Sequence, residues 1–357
     1  LVGSEMCIRD RFQILLLIYL KMNRSINLAL IGASGVVGRK IITVLEKRDI
    51  QISNFYPLGF STVGNEIELK NSKYKILDVE SFDLSKINIA IFSAGSGVAK
   101  KYAQTFVEKG IYVIDLSSEY RYVEDVPLVI PEININEIKK LEKPTLIANP
   151  NCSVSQLLLA IQPIHNELSI NFINVATYQA VSGTGKEALS EFENQLSGNE
   201  DINVYPKRIA GNVIPQCDIF LENDFTKEEM KIVWETQKIL DPNIPVQSTC
   251  VRVPVANGHS EAVFLRTENK TTKANIHELL MQTDGIKLID DPSNNDYPTP
   301  YEHANDSEEV FVGRIRVEEI NDENWISMWI VADNVYGKGA ALNAVQILEC
   351  LINENKI

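Results

Sequence analysis

Over the first half of the chain, short apolar runs alternate with segments of helical period. Ile26–Ile31 has the length of a buried strand, and 52–59, 87–92, 112–115 and 145–148 repeat it. Between them, 39–47 and 98–109 carry their apolar residues on one helical face. Strands alternating with helices predict βαβ units and a parallel sheet over residues 22–150. The second half has the two-residue period of half-buried strands, at 173–181, 247–255, 262–267, 309–317 and 325–332. In the second of these, Val251, Val253 and Val255 fall on one face, Cys250 and Arg252 on the other. The expectation for 151–332 is a mixed sheet with helices on one face. A last helix, 340–353, is spaced to pack back on the first sheet, so 333–357 returns to the first domain.

Residues 1–21 precede this pattern. Their apolar run, Phe12–Leu20, is too short to span a bilayer, and no small-residue cleavage site follows. Met22 reads as the native start, and 1–21 as a non-native or disordered leader.

Composition narrows the function. The 34 Lys and Arg against 48 Asp and Glu give a net charge of −14, which argues against a nucleic-acid partner. The five cysteines show no metal-type spacing and no even-numbered framework, so neither a metal nor disulfides are expected. No membrane partner is expected, and a reducing cytoplasm is the default compartment.

The chemistry starts at Gly32-Ala33-Ser34-Gly35-Val36-Val37-Gly38, between a strand and a helix. Glycines there permit a tight turn and close approach of a pyrophosphate to a helix N-terminus. This makes the first half a Rossmann-type nucleotide-binding domain; the alternative is a plain structural turn. The end of the second strand holds no acid to grip a ribose 2′-hydroxyl, which favours NADP over NAD. It also holds no Arg, leaving Ser61 and Thr62 as hydroxyl donors.

Cys152 follows Asn149-Pro150-Asn151 at the start of an apolar helix. A helix N-terminus lowers a thiol pKa, so a nucleophilic thiolate is expected there. His259 sits in a bend, and Arg252 on the strand entering it. Together they suit anion binding and proton transfer. Glu228 and Lys231 are neighbours on a helix that opens with the capping box Thr226-x-x-Glu229. Arg121 lies just past a strand end. By position alone, each has a plain alternative: a capped cysteine, an exposed loop histidine, a solvated ion pair, a surface arginine.

Taken in order, SAGSG at 93–97, SSEYR at 117–121, VPLVIPEIN at 126–134, NPNCS at 149–153, TYQAVSGTG at 177–185, VRVPVANGHSE at 251–261 and DNVYGKGAALNAVQI at 333–347 resemble the aspartate-semialdehyde dehydrogenases. The resemblance covers Met22 to the C-terminus. It implies reductive dephosphorylation of aspartyl 4-phosphate to aspartate 4-semialdehyde, for lysine, threonine and methionine biosynthesis. It implies Cys152 as the nucleophile, His259 as general acid/base and Gln179 as the residue orienting the intermediate. Arg252 would hold the substrate carboxylate and Glu228 its amino group, with Arg121, Lys231 and Asn151 at the phosphate. The glycine turn with Ser93, Ala94, Gly95, Ser182, Gly183 and Asn334 would bind NADP. The second domain becomes an α+β catalytic and dimerisation domain, in a homodimer or a tetramer of paired dimers. Two departures stand out: the family commonly has Arg-Ser near Ser61-Thr62, and its loop after Asn334 is shorter. The alternatives are N-acetyl-γ-glutamyl-phosphate reductase, whose motif places Gly where Asn151 stands, and a non-catalytic paralogue.

Overall fold

The structure is a computed structural model describing residues 25–357; the expectations for 1–21 and Met22 lie outside these residues. The first half runs β1 (Asn27–Ile31), α1 (Val36–Lys47), β2 (Asn54–Gly59), a hairpin of β3 (Glu66–Leu69) and β4 (Ser72–Lys75), then β5 (Leu77–Asp78). It continues with β6 (Ile89–Phe92), α2 (Ser96–Glu108), β7 (Tyr112–Asp115) and β8 (Leu146–Ala148). The sheet order is β5-β2-β1-β6-β7-β8, every pair parallel. Its strands are apolar on both faces because both are covered. One face packs on α1 through Leu28, Leu30, Ile41 and Leu45, the other on α2 through Phe92, Ala103 and Phe106. The hairpin was not visible as a pattern; its turn uses Lys70 and Asn71 at positive φ.

The second half runs α3 (Cys152–Leu168), β9 (Ile170–Gln179), α4 (Lys186–Leu196), α5 (Lys227–Ile239), β10 (Val246–Arg252), β11 (His259–Thr267) and α6 (Lys273–Met281). β12 (Ile286–Leu288), β13 (Val310–Ile320), β14 (Glu323–Ala332) and α7 (Ala341–Asn353) complete it. The second sheet has the order β10-β9-β11-β14-β13-β12. It is mixed: β10 with β9 and β12 with β13 are parallel, the other pairs antiparallel. A single core joins its inner face to helices α3, α5 and α6. Its outer face carries the exposed Tyr178 and Phe264.

β10 differs from its sequence reading. It stops at Arg252, before Pro254, so Val253 and Val255 fall outside it. The inward positions are Ser248, Cys250 and Arg252, so the polar face, not the valine face, meets the core. The last helix packs Leu342, Val345 and Leu348 into the core of the first sheet, while 333–340 form a loop beside the second. Among the described residues no helix is long and apolar enough to cross a membrane.

Candidate active site

Four strand termini and one helix start converge. β10 runs parallel to β9 with Arg252 opposite Gln179, so both end together. β11 runs antiparallel to β9, so its first residue, His259, arrives at the same edge. β8 ends just before Pro150, which has no N–H to extend a ladder. α3 then starts at Cys152 with Asn151 as N-cap; the Asn151 Oδ1 accepts from Ser153 N at 2.9 Å and Val154 N at 3.4 Å.

α5 supplies the electrostatics. Glu228, Lys231 and Glu235 share one helical face. Lys231 Nζ donates to Glu228 at 2.8 Å and to Asp218 at 2.7 Å. Glu228 Oε1 also accepts from Asn151 Nδ2 and Gln179 Nε2, each at 2.9 Å. Glu235, wholly buried, accepts from Arg121 Nη1 at 3.1 Å, Tyr122 Oη at 3.1 Å and Asn151 N at 2.6 Å. The capping box closes with both bonds formed. Of these, Arg121, Asn151, Asp218, Glu228 and Lys231 line a cavity of about 450 Å³ together with Cys152, Gln179, Arg252 and His259, and Glu235 stands behind them. Ser182, Gly183 and Asn334 border it from two loops. Asn334 spends its amide internally, bonded to Ser182 Oγ and to Gly258 N.

The thiol departs from expectation. Burial pushes Cys152 up to about 12, and the Glu228 charge adds to this. Arg121, Arg252 and Lys231 oppose the rise without overcoming it. In the empty site, desolvation and the Glu228 charge thus outweigh the three nearby cations, although Cys152 is only half-buried and lines the cavity. Burial and the Arg252 charge hold His259 down at about 3, so its ring is neutral. Its Nδ1 accepts from Ala180 N at 3.0 Å, which leaves the proton on Nε2. Nε2 is buried and has no hydrogen-bond partner. Burial works against Glu228's charge, but Lys231 and the bonds from Gln179 and Asn151 outweigh it and bring Glu228 to about 2.

The glycine turn lies at the carboxyl ends of β1, β2 and β6. Gly32 has φ +83°, and a Cβ there would stand 2.9 Å from the Ser93 carbonyl oxygen; a Cβ on Gly38 would run into the Gly32 carbonyl oxygen. Gly35 caps α1 with no side-chain bond, so no side chain occupies its first N–H groups. This cradle fits a dinucleotide pyrophosphate. Ala33 is buried beneath it, and Val37 reaches the cavity. Ser93 Oγ bonds back to Ile31 O, and Gly95 begins α2 beyond Ala94. Ser34 Oγ lies 3.2 Å from Thr62 Oγ1, with Ser61 exposed beside it. Arg39, from the first turns of α1, donates from Nε to Ser34 O at 3.1 Å and forms no ion pair among the described residues.

A semialdehyde dehydrogenase NAD-binding-domain model matches residues 27–141, and a semialdehyde dehydrogenase dimerisation-domain model matches 161–336. The aspartate-semialdehyde dehydrogenase of Shewanella violacea is 46% identical over 340 residues, 93% of this chain and 99% of that one. The chain belongs to the aspartate-semialdehyde dehydrogenase family. The Bacillus subtilis aspartate-semialdehyde dehydrogenase is 38% identical, covering 94% of this chain and 100% of its own. Among solved structures, Vibrio cholerae aspartate semialdehyde dehydrogenase II complexed with ASA superposes with a TM-score of 0.89 at 42% identity, over 93% of this chain and 99% of that one. Membership makes this chain an NADP-dependent oxidoreductase acting on an aldehyde group.

For this aspartate-semialdehyde dehydrogenase family member, sequence reading missed three charged groups at the site. Glu235 was detectable, because it continues the Glu228–Lys231 stripe by one helical turn. Arg39 was visible as a cation just beyond the glycine turn. Asp218 lies in an irregular segment whose placement no periodicity announces.

Proposed function

We propose that the enzyme converts L-aspartyl 4-phosphate to L-aspartate 4-semialdehyde through a thioester on Cys152. The observation that carries this reading is Arg252. Its guanidinium is buried, beside the thiol, with no carboxylate partner among the described residues. Nη1 donates to Ala180 O at 2.6 Å and Nε has no partner. A buried cation left without a counter-charge suits a bound carboxylate.

In this reading the substrate carboxylate docks on Arg252 and its ammonium on Glu228. The phosphate docks on Arg121, Lys231 and the Asn151 side chain. Cys152 Sγ bonds to the acyl carbon as the bond from that carbon to the phosphate oxygen breaks; the thiol proton departs with the phosphate. His259 Nε2–H, which has no partner in the protein, hydrogen-bonds the acyl oxygen as it becomes an oxyanion, and Gln179, whose amide donates to Ser153 and Glu228, orients the intermediate. The glycine turn, Ser93, Ala94, Gly95, Ser182, Gly183 and Asn334 would hold NADPH, which would supply a hydride to the thioester carbon. With that hydride on carbon the C–S bond breaks, the aldehyde leaves, and the Cys152 sulfur takes a proton from solvent. Arg39, with Ser34, Ser61 and Thr62, supplies a cation and hydroxyls suited to a ribose 2′-phosphate.

Glu228 favours this substrate over an N-acetylated one, because a carboxylate pairs with a free ammonium and not with an acetamide. Residues 22–150 serve as the cofactor unit and 151–332 as the catalytic unit. The outer face of the second sheet, with Tyr178 and Phe264, suits a homodimer interface in a cytoplasmic enzyme. The test is NADPH formation from aspartate semialdehyde and NADP. Signal that requires inorganic phosphate supports the reading. Continued turnover without phosphate, beyond one NADPH per enzyme, or signal only with the acetylated semialdehyde, overturns it.

A further inference from the structure

One step beneath the reacting groups lies a second polar layer, which the proposed chemistry does not use. Glu261 is two residues past His259 on β11, on the same face. Thr177 holds the same relation to Gln179 on β9, and it pairs directly with Glu261 across the strands. Gln156 lies one helical turn below Cys152 on α3. All three side chains are wholly buried. Around them the core is apolar: Leu157, Val175, Val263 and Ile330.

Neither carboxyl oxygen of Glu261 and neither amide atom of Gln156 has a hydrogen-bond partner of normal geometry. Glu261 faces Thr177 from β9 and Ile330 from β14, and neither is charged. The one polar group that acts on its titration is the Gln156 amide. Burial holds the carboxyl protonated, its pKa well above the carboxylate range, and Gln156 works the other way. A protonated carboxyl donates one hydrogen bond and accepts one; a primary amide does the same. Thr177 Oγ1 is also without a partner, and the two oxygens of Glu261 and the two amide atoms of Gln156 complement one another in two bonds.

We infer that Glu261 is a positioning residue of this reaction: paired with Gln156, it keys the Cys152 helix to the His259 strand. The inference rests on the proposed roles of Cys152 and His259. An apolar pair would pack here at no loss of stability, because removing both partners of a buried polar pair is close to neutral or better. What the polar pair adds is register. Apolar contacts tolerate small slides of a helix over a sheet, whereas two complementary bonds do not. The slide they oppose is the one that would separate Sγ from the His259 ring, and misplacement of that kind is costly in rate.

The test compares Glu261→Gln, Glu261→Leu, Gln156→Leu and the double leucine variant. Glu261→Gln preserves one donor and one acceptor and keeps kcat within twofold. Glu261→Leu lowers kcat at least tenfold, with both KM values within twofold. The double variant is no slower than Glu261→Leu alone, because the pair acts as a unit. Alkylation of Cys152 by iodoacetamide is read in parallel and needs no substrate: its rate changes at least threefold in Glu261→Leu and stays put in Glu261→Gln. A folded Glu261→Leu with unchanged kcat and alkylation overturns the inference. So does a Glu261→Gln as slow as Glu261→Leu, or losses that add in the double variant. If Glu261→Leu does not fold, Gln156→Leu against Glu261→Gln decides on the same criteria. A wild-type enzyme inactive on aspartate semialdehyde would fail the proposed function instead, and the alkylation rates would still decide this inference.

Discussion

Glu228→Gln removes one charge from the centre of the site and keeps its shape. The carboxylate accepts from Lys231 Nζ at 2.8 Å and from Asn151 and Gln179 at 2.9 Å. These partners outweigh burial and take its pKa from 4.5 to about 2. At 1.36 kcal/mol per unit, the displacement corresponds to about 3 kcal/mol of folding stability. The folded value is depressed, so this stability is fully present above pH 4.5 and is lost as pH falls toward 2. The variant is therefore less stable than wild type by about 3 kcal/mol at pH 7. The gap closes progressively below pH 4.5. Urea unfolding followed by tryptophan fluorescence across that range reads it directly, with Trp234 on the same helix as reporter. A gap that does not change with pH would refute the reasoning. A second arm follows from the same charge. Glu228 raises the Cys152 pKa, so its removal speeds alkylation of Cys152 at pH 8; slower alkylation would contradict the placement.

Arg39→Ala weakens binding of 2′,5′-ADP by about tenfold, the loss of a charge-assisted contact, while AMP binding is unchanged by calorimetry; equal losses for both ligands would exclude a 2′-phosphate role. Gly183→Ala puts a Cβ 3.1 Å from both Arg252 Nη1 and His259 Cε1. It lowers kcat by about tenfold in steady-state assays through displaced side chains, and a loss confined to cofactor affinity would contradict this. Phe264→Glu, on the exposed sheet face, yields a monomer in light scattering if that face is the dimer interface; an unchanged mass places the interface elsewhere.

Much of this was legible because hydrophobic period follows burial. The all-parallel sheet appeared as continuous apolar runs, since both of its faces are covered. The hairpin Glu66–Lys75 escaped because its strands are four residues long and mostly exposed, too short for the alternation of Ile67 and Leu69, which pack on the first core, to stand out. Gly32, Gly38 and Pro150 could be read as backbone devices before any fold was seen. Glu261 could not be weighed, because a buried glutamic acid looks in sequence like a surface one until its partners are placed. The Cys152 pKa was misjudged for the same reason: a helix terminus is local, whereas desolvation comes from the whole fold.

The central claim is a covalent thioester on Cys152. Enzyme mixed with aspartate semialdehyde and NADP in the absence of phosphate is quenched in acid and digested, and its peptides are weighed. The account predicts that the peptide containing Cys152 gains one aspartyl group, that inorganic phosphate removes it, and that Cys152→Ala never acquires it while still binding NADP. NADPH formed with no adduct on Cys152, or turnover by Cys152→Ala, would contradict it.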